Sequence, residues 1–365
     1  MPADSRGERA FYQASRNLAQ RCQQQAGELL PHINTVNSAR DLDLLRRAVG
    51  DAKLTYHGLS YDTHLGAIYA NLFPRRIRAM VLDGAMDFVG NATGNGFGRT
   101  KPVDVRQNTS VGTAQTFDSF LDQCVQAGAK CAFAAGGNVH VKWGDLTRQA
   151  KRHPIEVIAA DGSTTTYTYS KVISDVAGGL GQPDTWPDLA TTLEQIYQAS
   201  KGVQLRLPAM QPSDIEKYFH SSQEASNAIQ CADALVPRNE AIYTHLAVTE
   251  DRRVPYFGRI GVFRMMPCAY WPTQAVKPYA GPWNRWTASP ILIINNRFDP
   301  ATSLEGAQRG LAQLARGRLL VVEGAGHTTL AVHSTCAEKA KQAYLISGVL
   351  PQKGTTCSID SPPFS

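Results

Sequence analysis

Apolar and polar positions follow two rhythms along the chain. Residues 8–30 (ERAFYQASRNLAQRCQQQAGELL) are rich in helix formers and stop before Pro31. Asn37 or Ser38 can cap the next helix, ARDLDLLRRAVG, which sets Leu42, Leu45 and Val49 on one face and stops at Gly50. Residues 53–57 (KLTYH) predict a short strand. Residues 60–72 then predict a helix with Leu65, Tyr69 and Phe73 at i, i+4 and i+8, where small Gly66, Ala67 and Ala70 allow close approach to a sheet. Residues 79–82 (AMVL) are a buried type of strand closed by Asp83-Gly84. Strand, helix and strand within about thirty residues predict a parallel, right-handed βαβ unit.

The C-terminal part repeats the rhythm. ILIINN, opened by Pro290, is an uninterrupted apolar run of the kind buried on both faces. Residues 303–315 predict an amphipathic helix, 318–322 (RLLVV) a strand, and 337–346 a helix closed by Gly348 and Pro351. Between these parts, segments 115–135, 143–152, 186–201 and 213–235 read as helices separated by loops rich in Gly, Pro and Thr, and YFGRI (256–260) is ambiguous. The pattern predicts an α/β sheet split by a large, mostly helical insertion: residues 1–87 and 286–365 as the two parts of the core, 88–285 as the insertion. Insertions into such folds leave from loops at the C-terminal strand edge, where ligands bind.

Composition narrows the function classes. The chain has 365 residues, 43% hydrophobic and 19% charged, with 12 Phe, 13 Tyr and 5 Trp, which is enough for a large core and unlike a disordered chain. The net charge of +6 is spread without a run of five like charges, so no nucleic-acid partner is indicated. No apolar stretch approaches the roughly 18 residues of a membrane helix. The N-terminus, MPADSRGERAFYQ, is polar and does not read as a signal peptide. Seven cysteines lack any CxxC spacing and the nine His do not cluster with them, so no metal site is expected. They are either free buried thiols or disulfides. Cys124/Cys131 and Cys336/Cys357 bracket short loops, and disulfides would imply an oxidising compartment. Cys22 has no near neighbour, and its partner would lie upstream of Met1.

Gly58-Leu59-Ser60-Tyr61-Asp62 follows a predicted strand and opens a predicted helix. That is the context of the G-x-S-x-G nucleophile elbow, where a serine on a sharp turn projects above the sheet and the next N–H, that of Tyr61, faces a developing oxyanion. The second glycine is missing, and a serine in this place is also an ordinary helix cap. Two other features bear on the choice. Asp299 directly follows the ILIINN strand, and His327 directly follows RLLVV. Ser60, Asp299 and His327 therefore each lie past the C-terminal end of a different strand, in the chain order of α/β-hydrolases. Singly each has a bland reading as cap or turn residue; together they predict nucleophile, acid and base, with no metal or organic cofactor. Asp83 is a second candidate for the acid, and His57, His64 and His333 are weaker competitors as base.

Several motifs resemble secreted tripeptidyl aminopeptidases, relatives of proline iminopeptidases with a TAP-like C-terminal domain. They are Tyr56-His57-Gly58-Leu59-Ser60-Tyr61, Leu72-Phe73-Pro74 and Val81-Leu82-Asp83-Gly84 around the elbow. In the insertion they are Phe120-Leu121 before Cys124, Trp186-Pro187 and Ala228-Ile229-Gln230-Cys231-Ala232-Asp233. At the end they are Asp299, Ala301-Thr302, Gly326-His327, Cys336 and Gly348-Val349-Leu350-Pro351. The resemblance covers nearly the whole chain. It implies an α/β-hydrolase fold with a helical cap, and Ser60, Asp299 and His327 as the catalytic residues. It also implies disulfides Cys124–Cys131, Cys231–Cys268 and Cys336–Cys357, a secreted or cell-surface location, and release of short peptides from free N-termini. An exopeptidase must hold the substrate's α-ammonium, for which Glu224 and Asp233 are candidates by location in the cap.

Two departures qualify that expectation. Asp62 stands where the family has glycine. The family also places several strands before the elbow strand, one followed by a glycine-rich oxyanion loop, and residues 1–50 contain no His-Gly and no Gly-Gly. The expectation is therefore a serine exopeptidase of weak activity. The alternatives are a non-catalytic truncated remnant, or an esterase or lipase using the same three residues.

Overall fold

The computed structural model describes residues 1–158, 162–203, 214–272 and 279–365, and the side chains of 214–223 lie outside that description. Helix α1 (Ser5–Ala26) is capped by Asp4, whose carboxylate accepts from Gly7 N–H at 2.7 Å. Helix α2 (Thr35–Ala48) is capped by Asn34. Strand β1 (Leu54–Leu59), helix α3 (Asp62–Leu72) and strand β2 (Ile77–Asp83) then form the expected parallel βαβ unit, with Tyr56 facing Met80 and Leu59 facing Asp83.

A long, mainly helical passage follows β2. It contains α4 (Thr109–Ala127), α5 (Val139–Arg152), a hairpin of β3 (Ile155–Ile158) with β4 (Thr164–Tyr167), α6 (Tyr169–Gly179), α7 (Trp186–Ser200), α8 (Asp214–Asp233), α9 (Glu240–Arg253) and α10 (Gly258–Phe263). The chain re-enters the sheet as β5 (Ile291–Phe298), followed by α11 (Leu304–Gln313), β6 (Gly317–Ala325), α12 (Thr335–Ser347) and β7 (Thr356–Ser358). All pairings in the five-stranded sheet are parallel and its order is β1-β2-β5-β6-β7. Strands β2 and β5 are thus neighbours although more than two hundred residues separate them. The inserted passage stands over the strand ends, where the two segments meet.

Apolar burial explains the layers. On one face of the sheet Met80, Leu82, Ile291 and Ile293 pack with Ala67, Ile68 and Tyr69 of α3; on the other, Val81, Leu292, Ile294 and Leu320 pack with Ala337 and Tyr344 of α12. The insertion has its own core around Phe117, Phe120, Trp143 and Trp186, joined by Phe364 from the C-terminus. Each fully buried aliphatic or aromatic side chain contributes roughly 1.5–3 kcal/mol over an exposed one.

Three local expectations change. Leu45 and Val49 are exposed, by 63% and 74%, rather than core-facing. Helix α2 turns Val36, Ala39, Asp43 and Arg46 inward instead, because the Asp43 carboxylate is held by Arg46 at 2.9 Å and by Tyr69 of α3 at 3.0 Å. That polar pair claims the inner face and rotates the leucine outward. Ile155–Ile158 and Thr164–Tyr167, read as loop, pair as the antiparallel strands β3 and β4: a Thr-rich polar stretch suits a half-exposed pair of strands. YFGRI resolves as a turn at Tyr256-Phe257 leading into the first residues of α10.

Disulfides join Cys124–Cys131, Cys231–Cys268 and Cys336–Cys357, and Cys22 is free and buried. Burial, with the Glu224 carboxylate beside it, raises the Cys22 thiol pKa and disfavours its reactive thiolate. The Cys336–Cys357 bridge spans 21 residues and ties the short edge strand β7 to α12. Replacing both cysteines by serine is expected to lower the unfolding free energy by about 3 kcal/mol, through loop-closure entropy returned to the unfolded chain. Urea titration measures it; a loss under about 1 kcal/mol would show that β7 holds without the bridge.

Candidate active site

Ser60 sits on the turn between β1 and α3 with φ at 55°, a left-handed backbone that a residue with a Cβ rarely adopts. Such a residue stores about 1–3 kcal/mol of strain and persists only where its neighbours fix it. Ser60 N–H donates to the Asp83 carbonyl at 2.9 Å, and the Ser60 carbonyl accepts from Thr63 N–H at 3.0 Å and Thr63 Oγ1 at 2.7 Å. Glycine is required two residues earlier, since a Cβ on Gly58 would lie 2.7 Å from the Asp62 carbonyl oxygen and 2.6 Å from the Tyr56 ring. Asp62 is exposed, so its side chain fits where the resemblance called for glycine. At the N-terminus of α3 the Tyr61 N–H has no acceptor among the described residues and is oriented with the positive end of the helix dipole.

His327 and Asp299 come together from the ends of β6 and β5. The His327 Nδ1 is 3.0 Å from both Asp299 carboxylate oxygens. A carboxylate only accepts, so Nδ1 carries the proton and Nε2 is left as the basic nitrogen. Asp299 is 1% exposed and also accepts from the N–H groups of Ala301, Thr302 and Thr328 and from Thr302 Oγ1. These bonds hold the carboxylate in place. Burial pulls the His327 pKa down, but Asp299, supported by Asp83, outweighs it and leaves the imidazole above its ordinary value.

The two loops meet at Gly84. This residue follows Asp83, which holds Ser60 N–H, and a Cβ on it would lie 3.5 Å from His327 Cε1 and only 2.7 Å from Thr328 Cγ2. Its φ of 67° adds to the demand for glycine. No hydrogen bond links Ser60 Oγ to the His327 ring among the described residues; such bonds often tighten only when substrate is bound.

Sequence reasoning passed over the residues that hold these loops. Asn295 and Asn296, at the end of the apolar β5, are fully buried. Asn296 Nδ2 donates to the carbonyls of Gly326 and Thr328, on either side of His327, at 2.9 and 3.0 Å. Asn295 accepts from Ala85 N–H and donates to the Thr302 carbonyl. Two adjacent amides closing an apolar strand were the available signal, because buried polar side chains must find partners. Asp83, the second acid candidate, is bonded to Thr329 N–H and Thr329 Oγ1 instead of to His327.

The competing histidines are placed elsewhere. His64 is buried among Tyr61, Phe88 and Trp283, and burial pushes its pKa down to about 3. His57 and His333 are exposed, 3.7 Å from Asp83 and 3.5 Å from Asp184 respectively. Of the two cap carboxylates, Glu224 is exposed near Cys22. Asp233 is 3% exposed, and its oxygens are taken by Thr35 N–H, Thr35 Oγ1 and the Tyr61 hydroxyl. It is therefore not open to a substrate ammonium in this state. Among the described residues no His, Cys, Asp and Glu group has the arrangement of a metal site.

A parallel sheet flanked by helices, with a strained serine between strand and helix and a helical cap over the strand ends, is the fold of an α/β-hydrolase. Residues 254–357 match the family described as TAP-like protein. It is 31% identical over 353 residues to serine protease Hip1 of Mycobacterium tuberculosis, covering 92% of this chain and 64% of that protein. It is 27% identical over 369 residues to tripeptidyl aminopeptidase of Streptomyces lividans, covering 100% of this chain and 65% of the relative. Carboxylesterase B of M. tuberculosis is 27% identical over 355 residues, 95% of this chain and 65% of the relative. The chain thus spans a little under two thirds of the length of these curated relatives.

Proposed function

We propose that the chain is a serine peptidase acting through an acyl-enzyme, with Ser60 as nucleophile, His327 as general base and acid, and Asp299 as the group that orients His327. The observation carrying this reading is the His327–Asp299 pair at 3.0 Å, with the His327 ring against Gly84 and Ser60 N–H on the preceding Asp83 carbonyl, together with the φ of 55° that holds Ser60 on a strand–helix turn. In the first step Ser60 Oγ bonds to the substrate carbonyl carbon while its proton passes to His327 Nε2. The carbonyl oxygen becomes an oxyanion facing Tyr61 N–H. His327 then gives the proton to the leaving amine, the C–N bond breaks, and water repeats the sequence to release the acid.

Similarity to a tripeptidyl aminopeptidase favours release of short peptides from free N-termini, as a secreted or surface enzyme. Three disulfides agree with an oxidising compartment. With Asp233 engaged, Glu224 is the remaining candidate for the substrate ammonium. The likeness to a carboxylesterase supports a second reading, an esterase with the same three residues. Tripeptide amides with free and acetylated N-termini, run against nitrophenyl esters, separate the two. The peptidase reading expects amide cleavage that acetylation suppresses at least tenfold. Ester cleavage with no amide cleavage would establish the esterase.

A further inference from the structure

In the reading above Tyr61 offers its backbone N–H to the oxyanion, and its side-chain hydroxyl has a partner of its own. The Tyr61 hydroxyl donates to Asp233 Oδ2 at 2.9 Å, with Asn91 beside it. These partners lie 172 residues apart, at the elbow and at the last residue of α8. Asp233 is fixed in turn. Thr35 N–H donates to both of its oxygens, at 3.0 and 3.3 Å, and Thr35 Oγ1 donates to Oδ2, so the carboxylate also sits at the N-terminus of the 14-residue α2. Two residues before it, Cys231 bonds Cys268, and two residues after it Leu235 N–H donates to the Ala92 carbonyl at 2.9 Å.

The charge has no cationic neighbour to explain it. Among the described residues no Lys, Arg or His makes an ion pair with Asp233, although the side chain is almost fully buried. A buried carboxylate without a cation is costly, and here the hydrogen bonds it accepts from Thr35 and Tyr61 are what offset that cost. One of them comes from the residue next to the nucleophile. Ser60 is strained, and its turn keeps its shape only if the following residue cannot swing. A tyrosine pinned at its hydroxyl loses its side-chain rotation, which fixes the direction of its own N–H.

Resting on the serine-hydrolase reading above, we propose that Asp233 is a positioning residue: through the Tyr61 hydroxyl it aims the Tyr61 N–H at the oxyanion, and so couples the cap helix α8 to the elbow. It touches neither substrate nor reacting atoms. Its loss should therefore lower the rate of the chemical step without weakening substrate binding.

The test uses the whole chain, with active sites titrated by a fluorophosphonate so that misfolded molecules do not count. Tyr61→Phe removes only the hydroxyl; Asp233→Ala removes the anchor. Both are expected to lower kcat per titrated site about 10–100-fold, the scale of a small misplacement at a reacting centre, with KM within about twofold. The loss should be the same for a peptide amide with a free N-terminus and for an N-acetylated ester, and the double variant should be no slower than Asp233→Ala alone. If Asp233→Ala does not fold, Tyr61→Phe decides by itself. An unchanged kcat in Tyr61→Phe, with Ser60 still labelled, would overturn the positioning role and leave the hydrolase reading standing. A rise in KM confined to the free-amine substrate would also overturn it and make Asp233 an ammonium receptor. Failure of the probe to label wild-type Ser60 would remove both.

Discussion

Ser60→Ala is expected to lower kcat on any cleaved amide or ester by about 10⁶-fold and to abolish fluorophosphonate labelling. In the proposed mechanism the residue loses the atom that forms the acyl bond, and among the described residues neither of two neighbours in sequence is free to replace it. His64, one turn into α3, is buried and held neutral. Thr63 Oγ1 is occupied with the Ser60 carbonyl at 2.7 Å. The backbone at Ser60 is equally strained for alanine, so the variant should unfold within about 1 kcal/mol of the parent, and lost activity cannot be laid to lost structure. His327→Ala should be as inactive, and the double variant no worse, if Ser60, His327 and Asp299 act as the one unit proposed above. Equal labelling of the parent and Ser60→Ala would show that the nucleophile lies elsewhere.

Asp299→Asn is the second large effect, an expected loss of about 10⁴-fold in kcat with little change in fold. The asparagine amide can donate to Nδ1, which would move the imidazole proton to Nε2, the nitrogen that must be bare to accept from Ser60. The pH profile gives an independent check. In the parent, burial lowers the His327 pKa but Asp299 and Asp83 raise it further, so the base becomes neutral only above its ordinary value of about 6.5. The acid limb of kcat/KM should then lie above pH 6.5 or so. Without the Asp299 charge, burial is the largest remaining cause, and the limb should move to lower pH. A limb that stays in place would mean that another group supplies the titration.

Much of this arrangement was legible in the residues. Strand, turn and helix around Gly58-Leu59-Ser60 follow from local signals: a β-prone run, a glycine where no Cβ fits, and a helix with small residues on its sheet side. The apolar run ILIINN identified a central strand before its partners were known, and it fixed Asp299 just beyond its end. The order Ser60, Asp299, His327 past three strand ends needed no contact information.

What the residues could not settle were choices made between distant segments. Helix α2 has two faces apolar enough to pack, and only the Asp43–Arg46–Tyr69 contacts select the one that excludes Leu45 and Val49. Asn295 and Asn296 look like interruptions of a strand until the loops they bridge are brought beside them. Asp233 is an acid near the end of a helix, as suited to a solvent ion as to Tyr61, until the fold buries it against the elbow. Periodicity and turn chemistry are local, so one sequence determines its elements and the loops that carry reactive groups. The partner of a buried polar atom is chosen by which distant segment excludes water from it, and that belongs to the tertiary structure alone.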